Sequence, residues 1–462
     1  MAQHPKIQVA IIGAGASGVT LASALVRPPT PLEVVLIDPD PGRGLAHSAR
    51  DPHRLLNTQA AEMSLDPGSP SGFLDWLRVY RDRPGGWNGD DFVPRALFGD
   101  YLEDRLRSLE QRTPGLGSTR VVRAKALAAE RAGDGWSIRL SSGERLEAGL
   151  VVLATGWAPP RPLIFQGRSE IEAQVQDDPW DEPGLGRAGG DVLLVGSGLT
   201  ALEAAEAVWR RDPAARVFAV SRHGLLPRAH VRPAGAKPTF AAPYPGSARE
   251  LYAKLRAAAE LVDGDTVLRP GAAVGLRQAA PAMWDALPVE ERAQFLRLFR
   301  RYWDVERHRA PPAQAQAVQT AMAEGRFEVV RGRLAEGKAL PSGLAARVAL
   351  LTSHGPRALT VSRIVNCTGP QCDPFRSRNP LILDLLAQGL AAADPLGLGL
   401  HVDEQGAVLG ARGTPTPDLY ALGPPTQGRF FEITSVPEIR ARAQALAALA
   451  LTRARAPSAA GG

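Results

Sequence analysis

Cysteine is nearly absent. Cys367 and Cys372 are the two in 462 residues, too few for a secreted disulfide framework, and a reducing cytoplasm is the expected compartment. No apolar run approaches the ~20 residues of a membrane span. The apolar N-terminal segment lacks the basic start and cleavage site of a signal peptide. Aromatic residues make up 6% of the chain, and its formal charge of +6 comes from scattered Lys and Arg, with no basic run. Neither feature suits a nucleic-acid arm, so no nucleic acid and no membrane is expected among the partners. The eight histidines form no HExxH or His/Cys cluster, which argues against a catalytic metal. No GxSxG elbow marks a serine hydrolase.

What is present is a globular composition, 44% hydrophobic and 22% charged, on a chain long enough for two or three domains. The stretch Lys6 to Asp38 organises it. Ile7, Val9, Ile11 and Ile12 read as a buried parallel strand. Gly13-Ala14-Gly15-Ala16-Ser17-Gly18 then turns into an apolar helix, Val19 to Val26, and a second strand, Glu33 to Ile37, ends on Asp38. In such a unit Gly13 allows the turn, Gly15 lets backbone approach a pyrophosphate, and Gly18 lets helix and strand pack. The helix N-terminus offers unpaired N–H groups to phosphate, and Asp38 can accept from a ribose hydroxyl.

The pattern restarts at Asp191. A buried strand to Val195, the turn Gly196-Ser197-Gly198-Leu199-Thr200-Ala201, a helix to Arg210 and a strand Arg216 to Val220 lead to Ser221-Arg222. Two dinucleotide units in one chain are the main organisational fact, and their ends differ. An acid at Asp38 suits the unphosphorylated ribose of FAD or NAD, whereas Arg222 can pair with the 2′-phosphate of NADPH. The expected fold is α/β, with two Rossmann-like domains and a helical insertion. The FAD-binding domain spans 1–165 and 360–455, and the NAD(P)H-binding domain 187–358. A helical cap lies at about 224–325 and a flexible tail at 456–462. Within the cap, Ser247–Leu261, Val289–Trp303 and Ala313–Ala323 have helical spacing. Leu359–Asn366 reads as one buried strand, and a last helix covers Pro437–Leu451.

Ala154-Thr155-Gly156 and Cys367-Thr368-Gly369 each resemble the ATG motif that touches a cofactor in two-dinucleotide-binding flavoproteins. Gly423 resembles the third flavin contact of that class, with Pro424 where Asp is usual. Thr434 or Ser435 can cap the final helix, Glu438 completing a box when Ser435 is the cap. GAGASG, the stretch Gly44 to Ser64, FVPRALFGDYL, SRHGLLPRAH, YWDVERHRAP, NCTGP and YALGPPTQGRFFEITSVPEIR together resemble the bacterial FAD-NAD(P)-binding family over essentially the whole chain. FAD-dependent urate hydroxylases and flavin-dependent amino-acid N-hydroxylases are its relatives or members of its wider clan. The segment with Pro94, Arg95, Phe98 and Tyr101 is similar to one in ornithine N-hydroxylases.

The resemblance implies an NADPH-dependent, single-component FAD monooxygenase. It would work through a C4a-(hydro)peroxyflavin, with O2 and a small polar, nitrogen-containing substrate as partners. The cofactor carries the difficult step, so no catalytic triad is expected. The expected FAD set is Gly13, Gly15, Ser17, Gly18, Asp38, His47, Asn57, Arg95, Thr155, Gly156, Gly423 and Thr434. The expected NADPH set is Gly196, Gly198, Thr200, Ser221 and Arg222. Trp303, Arg307, His308 and Arg309 are the substrate candidates in the cap, set against a reading as packing core and solvated face. An NAD(P)H reductase or oxidase is the alternative, and a flavin-binding sensor without turnover a third. Disulfide reductases share the architecture, but their Cys pair lies near the position of His47 to Met63, which holds no cysteine here.

Overall fold

Near-continuous burial along the central parallel strands sets the architecture. The computed structural model of the chain describes residues 8–26, 32–111, 118–181, 185, 189–230, 244, 246–262, 265–268 and 270–455; the expected tail at 456–462 lies outside them. The chain divides into two units, Met1–Ala158 with Cys372–Gly462, and Pro159–Gln371.

The first unit begins β1 (Gln8–Ile12), α1 (Ala16–Leu25), β2 (Glu33–Ile37). Two helices, α2 (Gly72–Tyr80) and α3 (Arg95–Glu110), precede β3 (Ser118–Val122). An antiparallel meander of β4 (Ala126–Ala132), β5 (Gly135–Leu140) and β6 (Arg145–Ala148) then leads to β7 (Leu150–Leu153). β1 lies in parallel between β2 and β7. Val9, Ile11, Val34, Leu36 and Val152 belong to one apolar cluster and Ala10, Ile12, Val35, Ile37 and Val151 to another. The sheet is thus buried on both faces, as parallel sheets require.

The second unit repeats this plan. After β8 (Val175–Gln176) come β9 (Val192–Val195), α4 (Leu199–Arg211) and β10 (Val217–Ser221). The insertion holds α5 (Ala248–Ala257), the hairpin β11 (Ala259–Val262) and β12 (Asp265–Leu268), α6 (Pro270–Ala286), α7 (Val289–Leu298), α8 (Arg300–Arg307) and α9 (Pro312–Ala323). A meander of β13 (Phe327–Ala339), β14 (Ala346–Thr352) and β15 (Gly355–Val361) returns the chain to β16 (Arg363–Asn366). β9 lies in parallel between β10 and β16, as β1 does between β2 and β7. The chain re-enters the first unit with α10 (Pro380–Ala387), β17 (Ala407–Leu409), β18 (Pro415–Ala421) and α11 (Val436–Arg455), and β18 pairs in parallel with β7.

Three expected elements differ. The helix from Ser247 starts where expected, Ser247 Oγ accepting from Glu250 N at 3.2 Å, but ends at Ala257 before β11. The run Val289–Trp303 breaks at Phe299, whose ring stacks on Tyr252 with centroids 4.4 Å apart. Leu359–Asn366 is two strands, parted at Ser362, whose N–H and hydroxyl both donate to Asp191 O, at 2.8 and 3.1 Å.

Candidate functional site

At the C-terminal end of β1 the chain turns on Gly13, with φ +106°; a Cβ there would run into the Ala154 carbonyl. Gly13 N donates to Ile37 O at 2.9 Å and Ala154 N to Ile12 O at 2.8 Å, so the turn is clamped from both neighbouring strands. Gly18 packs against the Gly13 carbonyl, and a Cβ on Gly15 would lie 3.2 Å from Gly44 Cα. No side chain caps α1 at Gly15, and its first turn carries no acid. Gly423, at φ +79°, packs directly on buried Ser17. Thr155 and Gly156 follow Ala154 at the same strand ends, with open space beside Gly156. Gly13, Gly15, Ser17, Gly18, Thr155, Gly156 and Gly423 are therefore gathered around one helix N-terminus, which fits an anionic pyrophosphate.

Asp38 is partly committed to its own backbone. Its Oδ2 accepts from Ala14 N and its Oδ1 from Asp40 N, both at 2.8 Å. Burial raises its pKa, and those two N–H groups oppose the rise. Each carboxylate oxygen keeps a second lone pair for a ribose hydroxyl.

His47 lies on the loop that Gly44 seats against Gly15. Its ring is buried, meets Phe98 edge-on at 4.7 Å, and its Nδ1 has no hydrogen-bond partner. Burial lowers its pKa to about 3, with Arg95 and Arg43 adding to the effect. A neutral imidazole with an unused buried nitrogen can meet a ligand. Arg95 braces the same loop, its guanidinium donating to Ala46 O at 3.3 Å and Leu55 O at 3.4 Å. Asn57 is half-buried on that loop. Arg43 is held by Asp100 and Glu103. At α11, Thr434 is exposed, while Ser435 accepts the Ile439 N–H on its carbonyl. Ser435 Oγ is buried without a partner, so the expected capping box is not formed from its hydroxyl.

The second unit closes its turn the same way. Gly196, at φ +121°, packs on the Cys367 carbonyl. Gly196 N donates to Val220 O and Cys367 N to Val195 O, both at 2.9 Å. Gly198 differs: nothing lies within 4 Å of where its Cβ would be, and no side chain caps α4. Thr200 is half-buried in that first turn. Ser221 Oγ lies 2.8 Å from Ser197 Oγ and 3.1 Å from Gly224 N, fixing the exit of β10. Arg222 is exposed and forms no ion pair with a described residue. Beside it is His223, whose pKa is lowered by burial and by Arg301, Arg222 and Arg331. The parallel register of β10 with β13 sets Arg331 beside Ser221.

The cap candidates separate. Trp303 is buried and meets Phe295 edge-on at 5.6 Å. Arg309 is buried, with Nη2 2.6 Å from Glu306, Nε 2.9 Å from Glu306 O and Nη1 3.3 Å from Ala229 O. Trp303 thus packs as the core reading has it, whereas Arg309 is buried and ion-paired and does not lie on a solvated face. Arg307 and His308 are half-buried, His308 Nε2 lying 3.7 Å from Asp304. Among the described residues no His, Cys, Asp and Glu group could hold a metal, and no helix is long and apolar enough to cross a membrane. Neither Cys367 nor Cys372 forms a disulfide.

Comparison with known proteins bears on the fold and on the first dinucleotide unit. The FAD-NAD(P)-binding family model matches residues 10–158. The FAD-dependent urate hydroxylase of Xanthomonas campestris pv. campestris is 29% identical over 303 residues, 62% of this chain and 61% of that protein. The chain spans about half to three fifths of the length of the curated relatives it matches. Among solved structures, ornithine hydroxylase from Pseudomonas aeruginosa superposes with a TM-score of 0.65 at 17% identity, over 97% of this chain and 99% of that one. An ornithine N-hydroxylase from Kutzneria sp. 744, solved with reduced FAD, NADP+ and L-ornithine, has a TM-score of 0.63 at 18% identity, over 98% and 100%. At such identities the likeness establishes the fold.

Proposed function

Taking the FAD-NAD(P)-binding domain at residues 10–158 as premise, we propose that the chain is an NADPH-dependent FAD monooxygenase acting on a small, polar, nitrogen-containing substrate. One observation carries the reading. The two units close their glycine turns on the same carbonyl position, Ala154 and Cys367, yet end their second strands in opposite charge, Asp38 and Arg222. Asp38 suits an unphosphorylated ribose, which supports FAD in the first unit, and Arg222 suits a 2′-phosphate, which supports NADPH in the second. Bound flavin supplies hydride acceptance and, once reduced, reaction with O2. The chain's own residues bind and orient. The α1 N-terminus and Gly15 take the pyrophosphate, and Gly423 on Ser17 lets a ligand approach. His47 stays neutral and offers its free nitrogen, with Arg95 holding its loop. Arg307 and His308 remain the cap's substrate candidates. The urate hydroxylase and the ornithine hydroxylases support the reaction class and the nitrogenous substrate.

The test is anaerobic reduction of the purified flavoprotein with NADPH, then rapid mixing with O2. A near-ultraviolet transient whose decay is accelerated by one of a panel of amines, amino acids and purines is the expected result. Return of all electrons to O2 as hydrogen peroxide, with no compound affecting the rate, would sink the monooxygenase reading in favour of an NADPH oxidase.

A further inference from the structure

A cavity of about 180 Å³ opens in the first unit between α1, α3, α11 and the segment Leu65–Pro67. It is separate from the glycine turn. Ser23, on its α1 wall, lies about 10 Å along the axis from the first residue of that helix. Leu65, Pro67, Ala447 and Leu451 give the cavity an apolar floor. Thr20 and Ser23 also line it, but their hydroxyls donate within their own helix, to Ala16 O at 2.6 Å and Val19 O at 2.8 Å. The charged wall is less committed. Arg440 Nη1 donates to Ser64 O at 2.6 Å, which leaves the rest of its guanidinium for the cavity. Arg105 forms no ion pair with a described residue, and its Nε is buried without a hydrogen-bond partner. Burial raises the pKa of the Tyr101 hydroxyl and the charges of Arg105 and Arg440 both oppose the rise, so the two guanidiniums lie at the same end. Asp66 is the one carboxylate on the wall among the described residues, and its Oδ1 accepts from Gly68 N at 2.7 Å. Two cations against one anion leave the cavity with a single net positive charge beside an apolar floor.

We propose that this cavity binds a small apolar carboxylate, with its ring or short chain on the Leu65 and Leu451 floor and its carboxylate on Arg105 and Arg440. Size sets the apolar part. An apolar cavity of about 150 Å³ holds benzene, so this one takes a single ring or short chain with an acid arm. Charge sets the polar part. One net positive charge is balanced by a monoanion, whereas a phosphate dianion brings a charge that nothing on the wall compensates. A guanidinium offers its N–H groups in a planar fork that matches a carboxylate. The buried Arg105 Nε, a donor left unmade in the empty cavity, gains most from a ligand that accepts from it. The occupant bridges α3, α11 and the segment that continues the His47 loop, so it stabilises the first unit. The cavity shares no residue with the candidate FAD and NADPH sets, and the proposal stands whatever reaction those sets carry.

The experiment is titration calorimetry of the full chain with phenylacetate and hexanoate, and with phenylacetamide as the neutral counterpart, at neutral pH. A saturable site for at least one of the acids is expected, with the amide bound about tenfold more weakly or not at all. At about ten times its Kd the acid should raise the unfolding temperature by about 3 °C. Arg105→Gln removes a side chain that has no ion-pair partner to lose, so it should melt with the parent and bind the acid no better than the amide. Arg105→Lys keeps the charge and should retain most of the affinity, which separates loss of the site from loss of the fold. Saturating NADPH should leave acid binding unchanged. No binding of either acid up to about 10 mM, equal binding of acid and amide, or full affinity in Arg105→Gln each overturns the proposal. Competition by NADPH overturns it as well, because the acid then occupies the redox site.

Discussion

Gly196 and Gly198 stand two residues apart in one turn and do different physical work. At Gly196 the backbone is left-handed, φ +121°, and the space is filled by the Cys367 carbonyl. Alanine there adds backbone strain of about 1–3 kcal/mol besides a clash, so Gly196→Ala should lower the unfolding midpoint of the second unit. Gly198 is extended, at φ −82° and ψ −171°, with open space beside it. Gly198→Ala should leave the melting temperature unchanged and weaken NADPH binding about tenfold, or about 1.4 kcal/mol, because the methyl occupies the path of the pyrophosphate. Thermal unfolding beside NADPH titration of both variants separates the roles. Unaltered NADPH affinity in Gly198→Ala would remove the pyrophosphate from this turn.

At the scale of elements, Arg309 is the informative residue. It sits at the end of α8 and ties Glu306 to Ala229, with side-chain exposures of 8% and 12% in the Arg309–Glu306 pair. Removing one partner of a buried pair costs about 3–5 kcal/mol. Arg309→Met should therefore destabilise the second unit by that order while leaving the substrate KM unaltered at temperatures well below unfolding. A raised KM at unchanged stability would return Arg309 to the substrate set. The same region shows where sequence ceases to be legible. The two strand–glycine–helix–strand units could be read directly, since parallel strands are continuous apolar runs and the glycines mark the turns. The break at Phe299 could not, because the helical period continues through it, and the stack on Tyr252 is a long-range contact. Leu359–Asn366 looked like one strand because apolar content does not reveal a change of partner, and β15 and β16 pair with different neighbours. Arg222 was legible from its place after a strand, whereas the register that sets Arg331 beside Ser221 exists only in the folded sheet.

At the scale of the whole molecule, the repeat is nearly symmetric in its sheets and asymmetric in its ionisable groups, and this shapes its response to acid. The first unit buries His47 at its candidate cofactor loop, with a pKa of about 3 against an ordinary 6.5. His223, just after the second strand of the second unit, is exposed. A buried histidine with a lowered pKa favours the unfolded state on acidification, because between pH 6.5 and about 3 the unfolded chain binds a proton that the folded one refuses. Stability therefore rises with pH across that window. On going from pH 7 to pH 5 the first unit should lose about 2 kcal/mol from this residue, while the exposed His223 adds little. Urea unfolding at the two pH values measures the loss, with His47→Gln as the comparison. The parent should weaken more steeply than the variant by about that amount, and an equal loss in both would place the acid sensitivity in other groups. Because the folded imidazole stays neutral down to about pH 3, the flavin affinity of the folded protein should be unchanged between pH 7 and pH 5 in parent and variant alike, so a flavin titration at the two pH values separates the loss of stability from any change at the site.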